Sequence, residues 1–191
     1  HENEGAEILY QICAGDSDTM HGSDIKEGKI ELIADIDGVL KIRRDALVAV
    51  NSLGEMMIAS RHGNFPVKTG DKIAGTRIIP LVIEEEKMQK ACEVAGKEPI
   101  FRILPYQKKK AGIVTTGSEV YYHRIEDKFT PVVIEKLKEC GVTEVKQIQC
   151  NDDHEMIMEA IQTLIEDGSD LIVCTGGMSV DPDDRTPLAI K

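Results

Sequence analysis

The sequence predicts two domains: a smaller α+β domain over residues 1–107 and an α/β domain with a mostly parallel sheet over residues 108–191. Three observations carry this expectation. From Ala111 onward, short apolar runs alternate regularly with helical stretches, the pattern of a parallel sheet covered by helices. Before that point strand-like and helix-like stretches follow no such alternation. Between them lies the polar run Lys108 to Lys110, which places the boundary near Gln107 and reads as a solvated linker.

In the first domain, Ile8, Leu9 and Ile12 recur at helical spacing within Glu2 to Cys13, and Gly15 with Asp16 breaks that helix. The stretches Ile30 to Ala34 and Val39 to Ile42 flank an Asp37-Gly38 pair, which predicts a β-hairpin. Asp45 is placed to cap a helix running through Asn51, which Gly54 ends before a further apolar run from Met56 to Ala59. Thr69-Gly70-Asp71 reads as a turn ahead of an apolar run from Ile78 to Ile83. Glu84 to Ala95 holds helix formers and stops at Gly96, and Ile100 to Leu104 reads as a strand closed by Pro105.

In the second domain, Ile113 to Thr115 is a strand, followed by a loop to Glu126. Phe129 to Glu139 is a helix ended by Gly141, and Val145 to Cys150 is the next strand. Asp152 or Asp153 caps a helix carrying Met156, Ile157, Ala160, Ile161 and Leu164, and Leu171 to Cys174 is a buried strand. Two β-α-β crossovers are thus legible. The end, Thr186 to Lys191, reads as a helix barely begun after Pro187; with an opening at His1 rather than methionine, a fragment of a longer protein is expected, truncated at its carboxyl end.

Composition narrows the function. A net charge of −11 opposes nucleic-acid binding, since a polyanion is drawn to clustered Lys and Arg. No apolar run approaches the roughly 20 residues that span a bilayer, so no membrane role is expected. Five cysteines without a C-x-x-C pair fit a reducing cytoplasm, and Cys150 and Cys174 at strand ends read as small hydrophobes. The five histidines lack metal-site spacing, which disfavours zinc; His123 falls in the crevice loop.

Two glycine-containing loops follow parallel strands: Thr115-Thr116-Gly117-Ser118-Glu119 and Thr175-Gly176-Gly177-Met178-Ser179. Ligands of open α/β sheets bind beyond the carboxyl ends of the strands, where both loops lie. Glycine lets a backbone approach a ligand, and exposed N–H groups with Thr or Ser hydroxyls receive phosphate oxygens. The pair therefore predicts an anion cradle. Neither G-x-x-x-x-G-K-[ST] nor G-x-G-x-x-G occurs.

The second loop runs into Asp181-Pro182-Asp183-Asp184-Arg185-Thr186-Pro187. Carboxylates beside a phosphate cradle repel an anion unless a cation intervenes, and Mg²⁺ takes one or two carboxylates with water and phosphate. Asp181, Asp183 and Asp184 are the candidate metal ligands. The alternative is a solvated acidic turn in which Asp184 or Thr186 caps the next helix. Asp127 near the start of the first helix, and Asp152 with Asp153 after the second strand, are further candidates for the same crevice, although capping explains them equally and is favoured for Asp152. No nucleophile motif is present, so catalysis, if any, is metal-assisted handling of phosphate.

Taken in order, V-T-T-G-S-E-V, I-E-D before a helix, N-D-D after the next strand and C-T-G-G-M-S-V-D-P-D-D-R-T-P resemble the molybdenum-cofactor biosynthesis (molybdopterin-binding) domain family, over residues 110–191. That family includes molybdopterin adenylyltransferases, molybdenum insertases, gephyrin and CinA-like proteins. The first half looks loosely like an accessory region of the insertase-like branch. The resemblance implies a three-layer α/β sandwich, molybdopterin or its adenylylated form as ligand or substrate, and Mg²⁺. It carries ligand contacts onto Thr116, Gly117, Glu119, Asp127, Gly176, Gly177 and Ser179, and a catalytic role near phosphate and metal onto Asp184. The sequence departs from the pattern at Ser118, where insertases usually carry Asp, at Lys128-Phe129, which replaces a Ser-Asn pair, and at Asp181-Pro182, which replaces a glycine-containing turn.

Three functions follow. The first is a molybdopterin-binding protein of cofactor biosynthesis, carrying out Mg²⁺-dependent adenylyl transfer or molybdate insertion as a homo-oligomer alongside other cofactor-biosynthesis proteins. The second is a CinA-like hydrolase of a nucleotide pyrophosphate such as ADP-ribose. The third is a non-catalytic carrier or sensor of a pterin or nucleotide.

Overall fold

The computed structural model describes residues 1–107, 109–178 and 185–191. The chain divides into two compact units, His1–Tyr106 and Gln107–Lys191. The first unit builds two antiparallel sheets and three helices.

The first unit runs α1 (Glu2–Ala14), β1 (Met20–Gly22), β2 (Lys29–Ala34), β3 (Gly38–Ile42), α2 (Arg44–Asn51), β4 (Met56–Ser60), β5 (Phe65–Val67), β6 (Lys72–Ile78), α3 (Glu85–Ala95) and β7 (Phe101–Pro105). One sheet has the order β1-β2-β6-β4 and the other β5-β3-β7, all pairings antiparallel. Leu9 and Cys13 of α1, Leu32 of β2, Leu40 of β3, Val50 of α2, Ile73 of β6, Ala91 of α3 and Phe101 of β7 are fully buried in a single core. Period-two burial along β2 and period-3.6 burial along α1 place those residues on one face of each element.

Two expectations for this unit are corrected. The Asp37-Gly38 pair does not close a hairpin, because β2 pairs with β1 and β6 whereas β3 pairs with β5 and β7. Gly38 instead permits close approach: a Cβ there would lie 2.3 Å from the Leu104 carbonyl oxygen, and Asp37 accepts from the Thr69 N–H at 2.8 Å. Asp45 sits inside the first turn of α2, after an Arg43 N-cap, where its charge favours the helix dipole without capping. The apolar run from Ile78 to Ile83 continues past β6, which covers Lys72–Ile78 and stops before Pro80, and Ile79, Leu81 and Val82 are exposed.

The second unit runs β8 (Lys110–Thr116), α4 (Ser118–Tyr121), α5 (Phe129–Glu139), β9 (Glu144–Cys150), α6 (His154–Glu166), β10 (Leu171–Thr175) and α7 (Thr186–Ile190). Its sheet is parallel throughout, in the order β10-β8-β9. Gly112, Val114, Ile148 and Cys150 meet Ile157, Ala160 and Leu164 of α6 on one face. On the other, Thr115 and Gln147 reach Thr130 of α5. The sheet is therefore sandwiched between α5 and α6, as right-handed crossovers require when the chain leaves β8 in one direction and returns past it to β10.

Lys110 belongs to β8 rather than to a solvated linker. Its ammonium meets Asp167 at 3.0 Å and Glu144 at 3.2 Å, and hydrogen bonding to Asp167 and Glu144 raises its pKa. Lys108 lies outside the described residues. Cys150 and Cys174 behave as small hydrophobes, their thiol pKa values pushed up by burial.

Candidate functional site

Strand order reverses at β8, and the carboxyl ends of β8 and β10 flank the reversal, the place where open α/β sheets leave a crevice. A cleft of about 1150 Å³ opens there. Of the predicted ligand residues, Thr115, Thr116, Gly117, Ser118, Glu119, Asp127, Thr175 and Gly176 line it. Gly177 is not among them; a Cβ there would lie 2.7 Å from the Thr186 hydroxyl and 3.1 Å from that of Thr116, and Met178 is exposed. Ser179, Asp181, Asp183 and Asp184 lie outside the described residues.

The two loops are built as one structure. Gly176 has φ +87°, and a Cβ on it would lie 2.1 Å from the Thr116 carbonyl oxygen, so the second loop abuts the first through a position only glycine can fill. The fully buried Thr186 of α7 donates to the Gly176 carbonyl at 3.1 Å and meets the Thr116 hydroxyl at 3.2 Å. It neither caps α7 nor faces solvent; it ties both loops together. Gly117, at φ +132°, has open space where a Cβ would stand.

Asp127 anchors the start of α5. One carboxylate oxygen accepts from the Phe129 and Thr130 N–H groups, both at 3.0 Å, and the other from the Gln147 amide at 2.8 Å. Partial burial pushes its pKa up, but hydrogen bonds from Thr130, Gln147 and Phe129 outweigh that and hold it below the usual carboxylate range. The Thr115 hydroxyl meets that of Thr130 at 2.9 Å and receives the Gln147 amide at 3.0 Å. The Thr115 and Thr116 hydroxyls thus build the loop, whereas the buried Thr175 hydroxyl has no hydrogen-bond partner among the described residues.

Asp152 and Asp153 divide the two roles that the sequence left open. Asp153 caps α6 by accepting from the Met156 N–H at 3.0 Å. Asp152 crosses to the Ser118 N–H at 2.9 Å and lines the cleft, contrary to the favoured capping reading. The register explains this: Cys150 pairs with Thr116, so the residues after β9 emerge beside the first loop. Val120, Ile125, Glu126, Lys128 and Phe129 also line the cleft and were not among the expected residues. The signal for Val120, Ile125 and Phe129 was apolar side chains in an otherwise polar stretch following a strand; Glu126 and Lys128 carried none. His123 instead holds a turn at φ +54°, letting the Arg124 and Ile125 N–H groups fold back onto the Glu119 carbonyl. Among the described residues no three His, Cys, Asp or Glu side chains converge to hold a metal, and no helix is long and apolar enough to cross a membrane.

The second unit is therefore an α/β domain whose parallel sheet lies between helices, with two interlocked glycine loops over a cleft at the strand-order reversal. Residues 112–191 match the family described as "Probable molybdopterin binding domain", so over these residues the second unit is similar to the molybdenum-cofactor biosynthesis domain family. The chain is 38% identical over 77 residues to a CinA-like protein of Mycobacterium tuberculosis, covering 40% of this chain and 18% of that protein. A CinA-like protein of Mycobacterium sp. is 38% identical over 81 residues, with 42% and 19% covered. The chain thus spans under a fifth of the length of these relatives. Among solved structures, the tungsten cofactor synthesizing protein MoaB of Pyrococcus furiosus aligns with a TM-score of 0.41 and 28% identity over 44% of this chain and 52% of that one. CinA of Thermoplasma acidophilum aligns with a TM-score of 0.41 and 26% identity, covering 44% and 48%.

Proposed function

We propose that the second unit binds molybdopterin, or its adenylylated form, in the cleft between its two glycine loops, and that the protein serves molybdenum-cofactor biosynthesis. The observation that carries this reading is the convergence of Thr115 to Glu119 and Thr175 to Gly176 on one cleft within a domain similar to that family. Gly117 leaves room for a ligand atom at the backbone, and the buried Thr175 hydroxyl, without a hydrogen-bond partner among the described residues, is left to donate to a phosphate oxygen.

Mg²⁺ belongs to the proposal through Asp181, Asp183 and Asp184. One or two carboxylates suffice for this ion, which keeps water and takes phosphate oxygens. When bound, it would neutralise charge on the phosphate. Adenylyl transfer or molybdate insertion would then follow from the placement of that phosphate, with Asp184 in the catalytic role that the resemblance gives it.

The test is an anaerobic equilibrium titration with molybdopterin, with and without Mg²⁺, on the wild type and Asp184→Ala. Saturable binding that Mg²⁺ strengthens and Asp184→Ala weakens about tenfold or more, the loss of a charge-linked contact of about 1.4 kcal/mol, is expected. Unchanged binding in Asp184→Ala overturns the assignment of that residue. A CinA-like hydrolysis of ADP-ribose is the second reading, favoured by the similarity to CinA-like proteins. It predicts Mg²⁺-dependent release of AMP.

A further inference from the structure

The cleft has a wall that the phosphate cradle does not explain. Val120, Ile125 and Phe129 line it, and Ile125 is 51% and Phe129 76% exposed. The ring stands at the first residue of α5, where Asp127 fixes the backbone by accepting the Phe129 N–H at 3.0 Å. Its mount is rigid while its faces remain available.

Charge argues in the same direction. Among the described lining residues Lys128 is the one cation, against Glu119, Glu126, Asp127 and Asp152. Asp152 already occupies the Ser118 N–H, one of the donors that a phosphate would seek. These side chains offer an anion no net attraction, so contact energy of another kind has to contribute. Exposed apolar and aromatic surface beside the cradle supplies it, since burying a flat ring against a phenyl face is favourable whatever the ligand's charge.

Resting on the reading proposed above, we infer that the Val120, Ile125 and Phe129 wall receives the flat ring system of the ligand while the glycine loops receive its phosphate. Phe129 is then a specificity-determining residue that selects ring-bearing phosphates over ring-free ones.

The experiment compares wild type, Phe129→Ala and Phe129→Tyr in equilibrium titrations with molybdopterin, ADP-ribose and inorganic pyrophosphate. Aromatic stacking is worth enough that Phe129→Ala should weaken the ring-bearing ligand about fivefold to 150-fold. Phe129→Tyr should stay within about twofold of wild type, as should pyrophosphate in every variant. Because the side chain is exposed, the thermal midpoint should not move. Phe129→Ala binding the ring-bearing ligand as tightly as wild type overturns the inference and leaves the pterin reading standing. An equal loss for pyrophosphate overturns it too, since the effect is then on the cradle. If wild type binds ADP-ribose but not molybdopterin, the pterin reading falls and the wall is judged by the same comparison on ADP-ribose. If neither ring-bearing ligand binds, both fall.

Discussion

At the scale of single residues, the two loops depend on glycines for different reasons. Gly117 and Gly176 both hold positive φ, but only Gly176 is pressed against backbone, with the Thr116 carbonyl in the place of its missing Cβ. Gly117→Ala should cost about 1–3 kcal/mol in strain alone. Gly176→Ala adds a clash that β8 must move to relieve, so it should destabilise the second unit more, as chemical unfolding will show. Thr186→Val removes a buried hydroxyl and leaves the Gly176 carbonyl and Thr116 hydroxyl short of a partner, an expected loss of about 1–3 kcal/mol. The glycines and threonines were legible as a motif before any coordinates. The partnership of Thr186 with both loops was not, because its contact with Thr116 joins residues 70 positions apart in sequence. Asp152 escaped similarly: two adjacent acids before a helix suggest a cap, and only the β8 and β9 register shows which of them is free to reach Ser118.

At the scale of elements, Asp127 couples the start of α5 to β9 through Gln147. Asp127→Ala should therefore cost about 0.5–2 kcal/mol, the usual loss of a cap. Its folded pKa is depressed, so the charged form is favoured in the native state. The stabilisation is fully present above the unfolded carboxylate range and is lost as pH falls through the lower folded value. Unfolding measured against pH should show the gap between wild type and Asp127→Ala closing in acid; a gap that widens there contradicts this account. Gly112 lets α6 approach β8, with Leu164 within 2.7 Å of where a Cβ would stand, so Gly112→Val should cost about 1–3 kcal/mol by overpacking. Helices with clear periodicity, such as α1 and α6, could be read from sequence, and β8 from its place in the strand and helix alternation. The Asp37-Gly38 hairpin could not be excluded locally, since the dipeptide that favours a tight turn also permits the close approach of β3 to β7. The short β1, β5 and α4 carry too few residues for a periodic signal.

At the scale of the whole molecule, two separate cores correspond to the change of pattern after Gln107: one drawn from residues up to Ile103, the other from Val114 onward. The chain's charge of −11 sets the long-range field against an anionic ligand. Added salt screens that repulsion, so affinity for molybdopterin should hold steady or rise between about 0.05 and 0.5 M NaCl. A steep fall would instead indicate a cluster of cations at the site. Where the ligand binds is tested most directly by backbone amide chemical shifts during anaerobic titration of the ¹⁵N-labelled protein with molybdopterin. Saturable shifts centred on Thr115 to Glu119, Asp127 to Phe129 and Thr175 to Gly176 are the predicted result. Shifts centred on the first unit, or saturable binding that leaves the two glycine loops unperturbed, would contradict the assignment of this cleft.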